Sequence, residues 1–291
     1  MRVAVLASGS EGNATLVESG GTRLLVDAGI GPFALRCALE RARLGAGLGR
    51  ARREQPVDAV VVTHAHADHF GFARKYAKKM RIPVYVTEAT ARAHDLPREG
   101  RFRMFGPRDP FEVGELLVSP VPVPHDAPQV AVSISDGQRR VAVVTDVGEV
   151  TGRLADHLAL CDVLLVESNH DAEMLERGPY PAFIKRRVAS AGGHLSNAQT
   201  HELLARLPLR TRTVVLMHLS RTNNHVPLAL ECARDALAGR RVNLYAAPPR
   251  ELLMVDADAP APLPIPGGAP RSERKRPLVL PGQLSFWPGW R

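Results

Sequence analysis

Cysteine is scarce in this 291-residue chain: there are three, Cys37, Cys161 and Cys232, and no two of them form a Cys-x-x-Cys pair. An odd, scattered set argues against a disulfide framework and against a thiolate zinc site. It fits a reducing compartment in which the three are small core residues. Long apolar runs are missing too. No stretch approaches the ~18 consecutive apolar residues of a membrane span, and the run from Val3 to Ala7 is too short for the core of a secretory signal. A soluble, cytoplasmic protein without membrane contact is expected. No internal repeat is visible, and tryptophan is confined to Trp287 and Trp290 at the far end of the chain.

The chain does have ordinary apolar content, 45%, which is enough to bury a large core. It also has an excess of positive charge, +8 at neutral pH with a pI near 9.9, which favours a polyanionic partner. The basic residues cluster at 50–53, 74–81, 185–187, 210–212 and 271–276. Charge by itself does not choose the partner.

Short apolar, β-branched runs predict strands over 3–7, 14–18, 23–27, 59–63, 84–87, 116–123, 130–135, 141–145, 163–168 and 214–217. Helical spacing predicts helices over 32–44, 70–80, 151–157, 180–190, 197–207 and 227–237. Early strands come as hairpins, one closed by Gly20-Gly21, and later ones alternate with helices. That order predicts mixed sheets covered by helices, an α/β (α+β) fold of αββα type. The pattern stops near Val255. The expected organisation is a domain over 1–255, a Pro-rich basic linker over 256–282 and an apolar linear motif over 283–291.

The densest chemistry lies in Thr63-His64-Ala65-His66-Ala67-Asp68-His69, directly after the apolar run Ala59-Val60-Val61-Val62. On extended chain His64 and His66 project the same way and can grip one metal ion. Asp68 and His69 turn into the next helix and can face a second. Imidazole nitrogen suits Zn²⁺, and adding carboxylate admits Mn²⁺.

His-x-His-x-Asp-His resembles the signature of the metallo-β-lactamase superfamily, whose fold is a four-layer αββα sandwich with metals at one sheet edge. The resemblance implies three further ligands, met here by His125, Asp146 and His218, each where a predicted strand stops. It places His64, His66 and His125 on one metal, Asp68, His69 and His218 on the other, and Asp146 between them. It also matches Asp27, in Val26-Asp27-Ala28-Gly29, to an aspartate that orients the histidine-rich loop; the plain alternative is an N-cap for the next helix.

Three more motifs narrow the branch: Ser8-Gly9-Ser10-Glu11-Gly12-Asn13, Glu167-Ser168-Asn169-His170-Asp171, and Gly193-His194-Leu195-Ser196-Asn197 with Met217-His218-Leu219-Ser220 and Asn223-Asn224. Together, up to about residue 250, they resemble the YycJ/WalJ-type branch, related to tRNase Z and PhnP. Its members act as DNA exonucleases from the 5′ side, linked to mismatch repair. The resemblance implies two divalent metal ions, Zn or Mn, clamping a phosphodiester, with Asp68 orienting or deprotonating water. His194 lies 24 positions before His218 (218 − 194), like the non-ligand histidine of tRNase Z that assists the leaving oxygen.

Ser8, Ser10 and Asn13 sit in a Gly-bearing loop able to present N–H groups to phosphate, or in a plain tight turn. His170 either touches substrate or makes a supporting hydrogen bond. Lys185, Arg186 and Arg187 either hold a DNA backbone or form a solvated helix face. The remaining histidines, His94, His157, His201 and His225, read as surface or helix residues. The alternative activity is hydrolysis of a small (thio)ester or lactone, as in glyoxalase II or lactonases, which share Thr-His-x-His-x-Asp-His. In the tail, Gln283, Leu284, Phe286 and Trp287 resemble the bacterial sliding-clamp peptide, which implies the clamp as a partner; alternatively the tail folds back on its own domain.

Overall fold

The structure is a computed structural model and describes residues 1–42, 55–207, 210–247, 249, 251–260 and 263–265. The first half of the chain builds one sheet. β1 (Arg2–Ala7), β2 (Ala14–Ser19) and β3 (Thr22–Val26) form an antiparallel meander. β4 (Ala59–Val61), β5 (Val84–Thr87) and β6 (Phe102–Phe105) then add in parallel. The crossovers carry α1 (Pro32–Arg41), α2 (Ala67–Phe70), α3 (Ala73–Lys79) and α4 (Glu88–Ala93).

The second half repeats the scheme. β7 (Phe111–Val113), β8 (Leu116–Val123), β9 (Gln129–Ser135) and β10 (Arg140–Val144) are antiparallel neighbours. β11 (Val163–Glu167), β12 (Thr213–Met217) and β13 (Asn243–Ala246) follow in parallel. Between them run α5 (Gly152–Leu158), α6 (Ala172–Arg177), α7 (Ala182–Val188), α8 (Asn197–Arg206) and α9 (Val226–Ala236). β14 (Leu253–Asp256) returns to the first sheet beside β1, so each sheet has seven strands.

Alternation along the central strands makes the four layers. Leu24 and Leu165 point between the sheets, where they pack with Val5, Val61, Val118 and Val132. Their neighbours Leu25 and Leu164 point outwards, the first toward Leu35 and Tyr76, the second toward Leu154 and Leu203. Both faces of each sheet are therefore covered, which is why the central strands read as unbroken apolar runs. The αββα sandwich expected from the sequence is the observed fold.

Four strands were not anticipated, β6, β7, β13 and β14, and they are the four edges of the two sheets. An edge strand is covered on fewer sides, so its apolar pattern is weak; the alternation in β13, for example, leaves no residue fully buried. The helix expected over 70–80 is interrupted, with α2 ending at Phe70 and α3 starting at Ala73. α1 ends at Arg41, and α7 is shorter than the stretch 180–190.

The fold also reaches past Val255, where the sequence placed its boundary. Ala257 is buried, and Asp258 takes the N-terminal ammonium at 2.7 Å and Arg139 Nε at 2.7 Å. Ile265 exchanges backbone hydrogen bonds with Gly239 and Arg240. Only part of the expected linker is described, and Gln283, Leu284, Phe286 and Trp287 lie outside the described residues. No helix among the described residues is long and apolar enough to cross a membrane.

A repeat not visible in the sequence appears in the topology. β3 and β10 occupy equivalent places, where antiparallel pairing changes to parallel. Each is followed by Asp-x-Gly: Asp27-Ala28-Gly29 and Asp146-Val147-Gly148. Both aspartates have positive φ, 66° and 57°. Both glycines are pressed against a neighbouring carbonyl: a Cβ on Gly29 would lie 2.0 Å from the Asp68 oxygen, and one on Gly148 would lie 2.2 Å from that of Ala191.

Leu165→Ala removes a fully buried side chain from between the sheets and should cost about 2–5 kcal/mol of unfolding free energy. The exposed control Leu160→Ala should change stability by less than about 0.5 kcal/mol. Urea unfolding followed by circular dichroism reads both; equal effects would mean that the inter-sheet layer is not the main core.

Candidate metal centre

The parallel parts of both sheets send their carboxyl ends to one edge, and the polar residues collect there, as ligand sites do in sheets of this kind. Asp27 follows β3, Thr63 and His64 follow β4, and His125 follows β8. Asp146 follows β10, Glu167 ends β11 and His218 follows β12. Asp146 and His218 turn off their strands with φ of 57° and 55°, and Asp27 does so at 66°. That left-handed step swings each side chain across its strand end, a conformation Asp tolerates better than most residues.

Two groups of ligand atoms result. His64, His66 and His125 form one, and Asp68, His69, Asp146 and His218 the other; within each, all ligand atoms lie within 4.8 Å of one another. The groups adjoin, with the His64 and His69 rings 4.1 Å apart. All seven ligand candidates named from the sequence are therefore brought to this edge.

Hydrogen bonds fix which ring nitrogen of each histidine is free. Asp27 Oδ1 accepts from Thr63 N at 2.8 Å and from Thr63 Oγ1 at 3.0 Å, while Asp27 Oδ2 accepts from His69 Nδ1 at 2.8 Å. With its proton committed to Asp27, the Thr63 hydroxyl accepts from His64 Nδ1, 3.1 Å away. The Gly193 carbonyl accepts a hydrogen bond from His125 Nδ1, 3.2 Å away, so that ring's proton sits on Nδ1. His64 and His125 are left with a bare Nε2, the atom a metal needs, and His69 turns its Nε2 to the ligand group beside Asn13 Nδ2.

A third group, Asp146, Glu167, His194 and His218, is of another kind. Glu167 is wholly buried. Its Oε1 accepts from Nδ1 of His194 and of His218, both at 2.8 Å. Its Oε2 accepts from the backbone N–H of Val147 at 2.8 Å and of Leu195 at 3.2 Å. Its lone pairs are spent on orienting two imidazoles. Glu167 belongs to the chemistry, yet the sequence reading gave it no role. The available signal was an acid ending an apolar strand at the head of the Glu167-to-Asp171 motif.

Charge follows this layout. Burial pushes the Glu167 carboxyl up, but the His194 and His218 imidazoles outweigh it and hold it down at about 2. Burial alone would lower His218, while Asp146, Asp68 and Glu167 lift it to about 10. His194 is likewise lowered by burial and raised overall by Glu167. His64 goes the other way, held well below its ordinary value by burial and by the neighbouring His69. The half of the site near Asp146 thus attracts positive charge, and His64 and His125 offer neutral nitrogen.

Four atoms at this edge, His64 Nε2, His125 Nε2, Asp146 Oδ2 and His218 Nε2, are buried without a hydrogen-bond partner. Leaving such groups unsatisfied costs about 1–3 kcal/mol each. Several in one place, all nitrogen or carboxylate oxygen, is what a site for divalent metal looks like. The residues present fit that group.

Of the four residues read as substrate contacts, three are buried. Ser8 Oγ, buried, accepts from His218 N at 2.7 Å and steadies that residue's turn. Asn13, also buried, places Nδ2 3.2 Å from Asp68 Oδ2 and 2.9 Å from His69 Nε2, and its backbone joins Asp68 O and Gly29 N. His170 is buried, its carbonyl accepts from Asn197 N, and burial pushes its ring down to about 4. Ser10 is exposed, and it lines a cleft with Ser8 and Arg221. His94, read as a surface or helix residue, braces the metal loop: its Nε2 meets Ala65 O at 2.8 Å and its ring stacks on Phe70 at 3.7 Å.

Comparison with known proteins agrees with this geometry. The family model of the β-lactamase superfamily domain matches residues 22–219. Exodeoxyribonuclease YycJ of Bacillus anthracis is 34% identical over 79% of this chain and 86% of its own length. Exodeoxyribonuclease WalJ of Streptococcus pneumoniae is 32% identical over 78% and 85%. Among solved structures, the metallo-β-lactamase fold protein YhfI of Bacillus subtilis superposes with a TM-score of 0.63 at 19% identity, over 87% of this chain and 98% of its own. The chain belongs to the metallo-β-lactamase superfamily and, within it, to the family of the YycJ and WalJ proteins. It is a metal-dependent hydrolase.

The Glu167 shift has a consequence for stability. A carboxyl depressed from 4.5 to about 2 stabilises the metal-free fold fully above pH 4.5, and the benefit is lost as pH falls through about 2. Glu167→Gln lacks it, so the gap in urea midpoint between wild type and variant should close across that window. A gap constant from pH 6 to pH 2 would show that the carboxylate is not stabilised by its imidazole partners.

Proposed function

We propose that this protein is a dinuclear-metal phosphodiesterase that degrades DNA from the 5′ side. The observation that carries the reading is the pair of adjoining ligand groups with His194, clamped by Glu167, on their shared border. Two divalent ions, Zn or Mn, suit the mixture of imidazole and carboxylate donors. His64, His66 and His125 would hold one, and Asp68, His69 and His218 the other, with Asp146 between. When bound, such ions polarise phosphoryl oxygens and make water acidic.

The chain's own residues do the rest. Asp68 is half-buried, and burial raises its carboxyl while His218 and His69 bring it well below the usual range. It stays ionised and orients water or takes a proton from it. His194 Nδ1 is tied to Glu167, which leaves Nε2 to face substrate. Because Glu167 favours the charged imidazole, His194 carries the proton that a departing alkoxide needs.

Several features support DNA over a small ester. The curated relatives are named exodeoxyribonucleases. The net charge is +8. α7 has no buried residue and presents Lys185, Arg186 and Arg187 close to His125, whose ring bonds Gly193 shortly after that helix. A role in DNA repair in the cytoplasm follows from the same reading, with Gln283, Leu284, Phe286 and Trp287 tethering the enzyme to the sliding clamp.

The deciding assay uses metal-loaded protein, duplex and single-stranded DNA labelled at either end, and a thioester and lactone panel. Release of nucleotides from the 5′ side, with affinity falling steeply as salt rises, is expected. Turnover of the panel with inert DNA would overturn the reading.

His194→Ala should keep both metal ions, counted by plasma emission, and lose about 10²–10⁴-fold in turnover. Loss of an ion in that variant would make His194 a ligand.

A further inference from the structure

We propose that Asp126 is a ligand of the metal ion bound by His64, His66 and His125, held in place by Arg187. The inference rests on the metal-centre reading and is independent of the nature of the substrate. Asp126 follows His125 directly, in the loop after β8. Its Oδ1 lies 3.1 Å from His125 Nε2 and 3.3 Å from His66 Nε2. These look like ion pairs, but the geometry says otherwise. Asp126 Oδ1 and His125 Nε2 are both buried, and neither makes a hydrogen bond despite their closeness.

The tautomer gives the reason. His125 Nδ1 faces the Gly193 carbonyl, an acceptor, so its proton sits there and Nε2 carries a lone pair. A bare nitrogen and a carboxylate oxygen at contact distance repel each other unless a cation lies between them. Their spacing is the one a metal imposes. Bonds of about 2.0–2.1 Å put neighbouring ligand atoms about 3 Å apart at the right angles of a five- or six-coordinate ion, which leaves a position for Asp146, and ~3.3 Å apart at tetrahedral angles, close to both observed separations.

The other oxygen is already fixed. Asp126 Oδ2 accepts from Arg187 Nε at 2.7 Å and from the second arm of the same guanidinium. A forked arginine contact of this kind is strong and directional. It turns Oδ1 toward the histidines and removes freedom the side chain would otherwise lose on binding metal. Arg187 is on α7, half-exposed. It therefore serves as the positioning residue that joins the basic helix to the metal.

The test uses full-length protein, stripped and reloaded with Co²⁺, whose visible bands report the ligand set. Bound ions are counted by plasma emission after equilibration with graded chelator. Asp126→Ala and the near-isosteric Asp126→Asn should each lose one ion at chelator concentrations lower than wild type by more than the about 10- to 100-fold that loss of an outer-shell partner costs, and should shift the Co²⁺ bands. Arg187→Ala keeps the carboxylate and should fall between them and wild type. Far-ultraviolet circular dichroism and thermal unfolding of the stripped variants establish that they are folded; if Asp126→Ala is not, Asp126→Asn and Arg187→Ala decide. Wild-type chelator curves and spectra in the folded Asp126 variants would overturn the assignment. A wild type that retains no metal would overturn it together with the centre. Protein inert on DNA in which the Asp126 variants still lose an ion would uphold the assignment and sink only the nuclease reading.

Discussion

Glu167 is the constraint on which this site turns. A carboxylate buried at the end of the middle parallel strand is costly unless every lone pair is used, and here four N–H groups use them. Those donors come from three segments: Val147 after β10, His194 and Leu195 before α8, and His218 after β12. One side chain thereby fixes the relative positions of three loops. It also divides two imidazoles between tasks. His218, buried, turns Nε2 inward to the ligand group, while His194 remains partly open to solvent.

The first sheet solves the same problem in the same way. Asp27, in the place equivalent to Asp146 in the topology, ties Thr63 and His69 and through Thr63 sets His64. Its loop is then pinned from outside by Asn13, and the glycine at 29 is what lets the backbones of Asn13 and Asp68 approach so closely. Ser8 does for the His218 turn what Asn13 does for the Asp68 turn. Ser8 and Asn13 thus join a buried polar scaffold. Such networks rigidify a site when all their members are satisfied, and metal ligands are only as well placed as the groups behind them.

Membership of the superfamily accounts for the fold and for hydrolysis assisted by metal, and the site explains how one fold serves them. Strand ends supply donors from both sheets, so neither half of the molecule is complete alone. The electrostatic asymmetry matters as much as the donor count: Asp68, Asp146 and Glu167 crowd the His218 side, while burial keeps His64 and His125 neutral on the other. A substrate bearing negative charge therefore needs cations between itself and Asp68, Asp146 and Glu167.

The sequence by itself determined the central strands and the sandwich, and it singled out seven side chains that the fold gathers at one edge. Runs such as Ala59–Val61 are buried on both faces, and three histidines with an aspartate in six positions leave little other use for that segment. The edge strands β6, β7, β13 and β14 escaped because partial cover leaves no clear pattern. Glu167, His94 and the buried hydrogen bonds of Ser8 and Asn13 escaped for another reason. Each is defined by a partner far away in the chain: Glu167 by His218, Ser8 by His218 across 210 positions, Asn13 by Asp68. A side chain's residue type says which hydrogen bonds it is able to make. Only the packing of two sheets against each other decides which of those bonds it does make, and whether it ends beneath the metal site or facing the substrate.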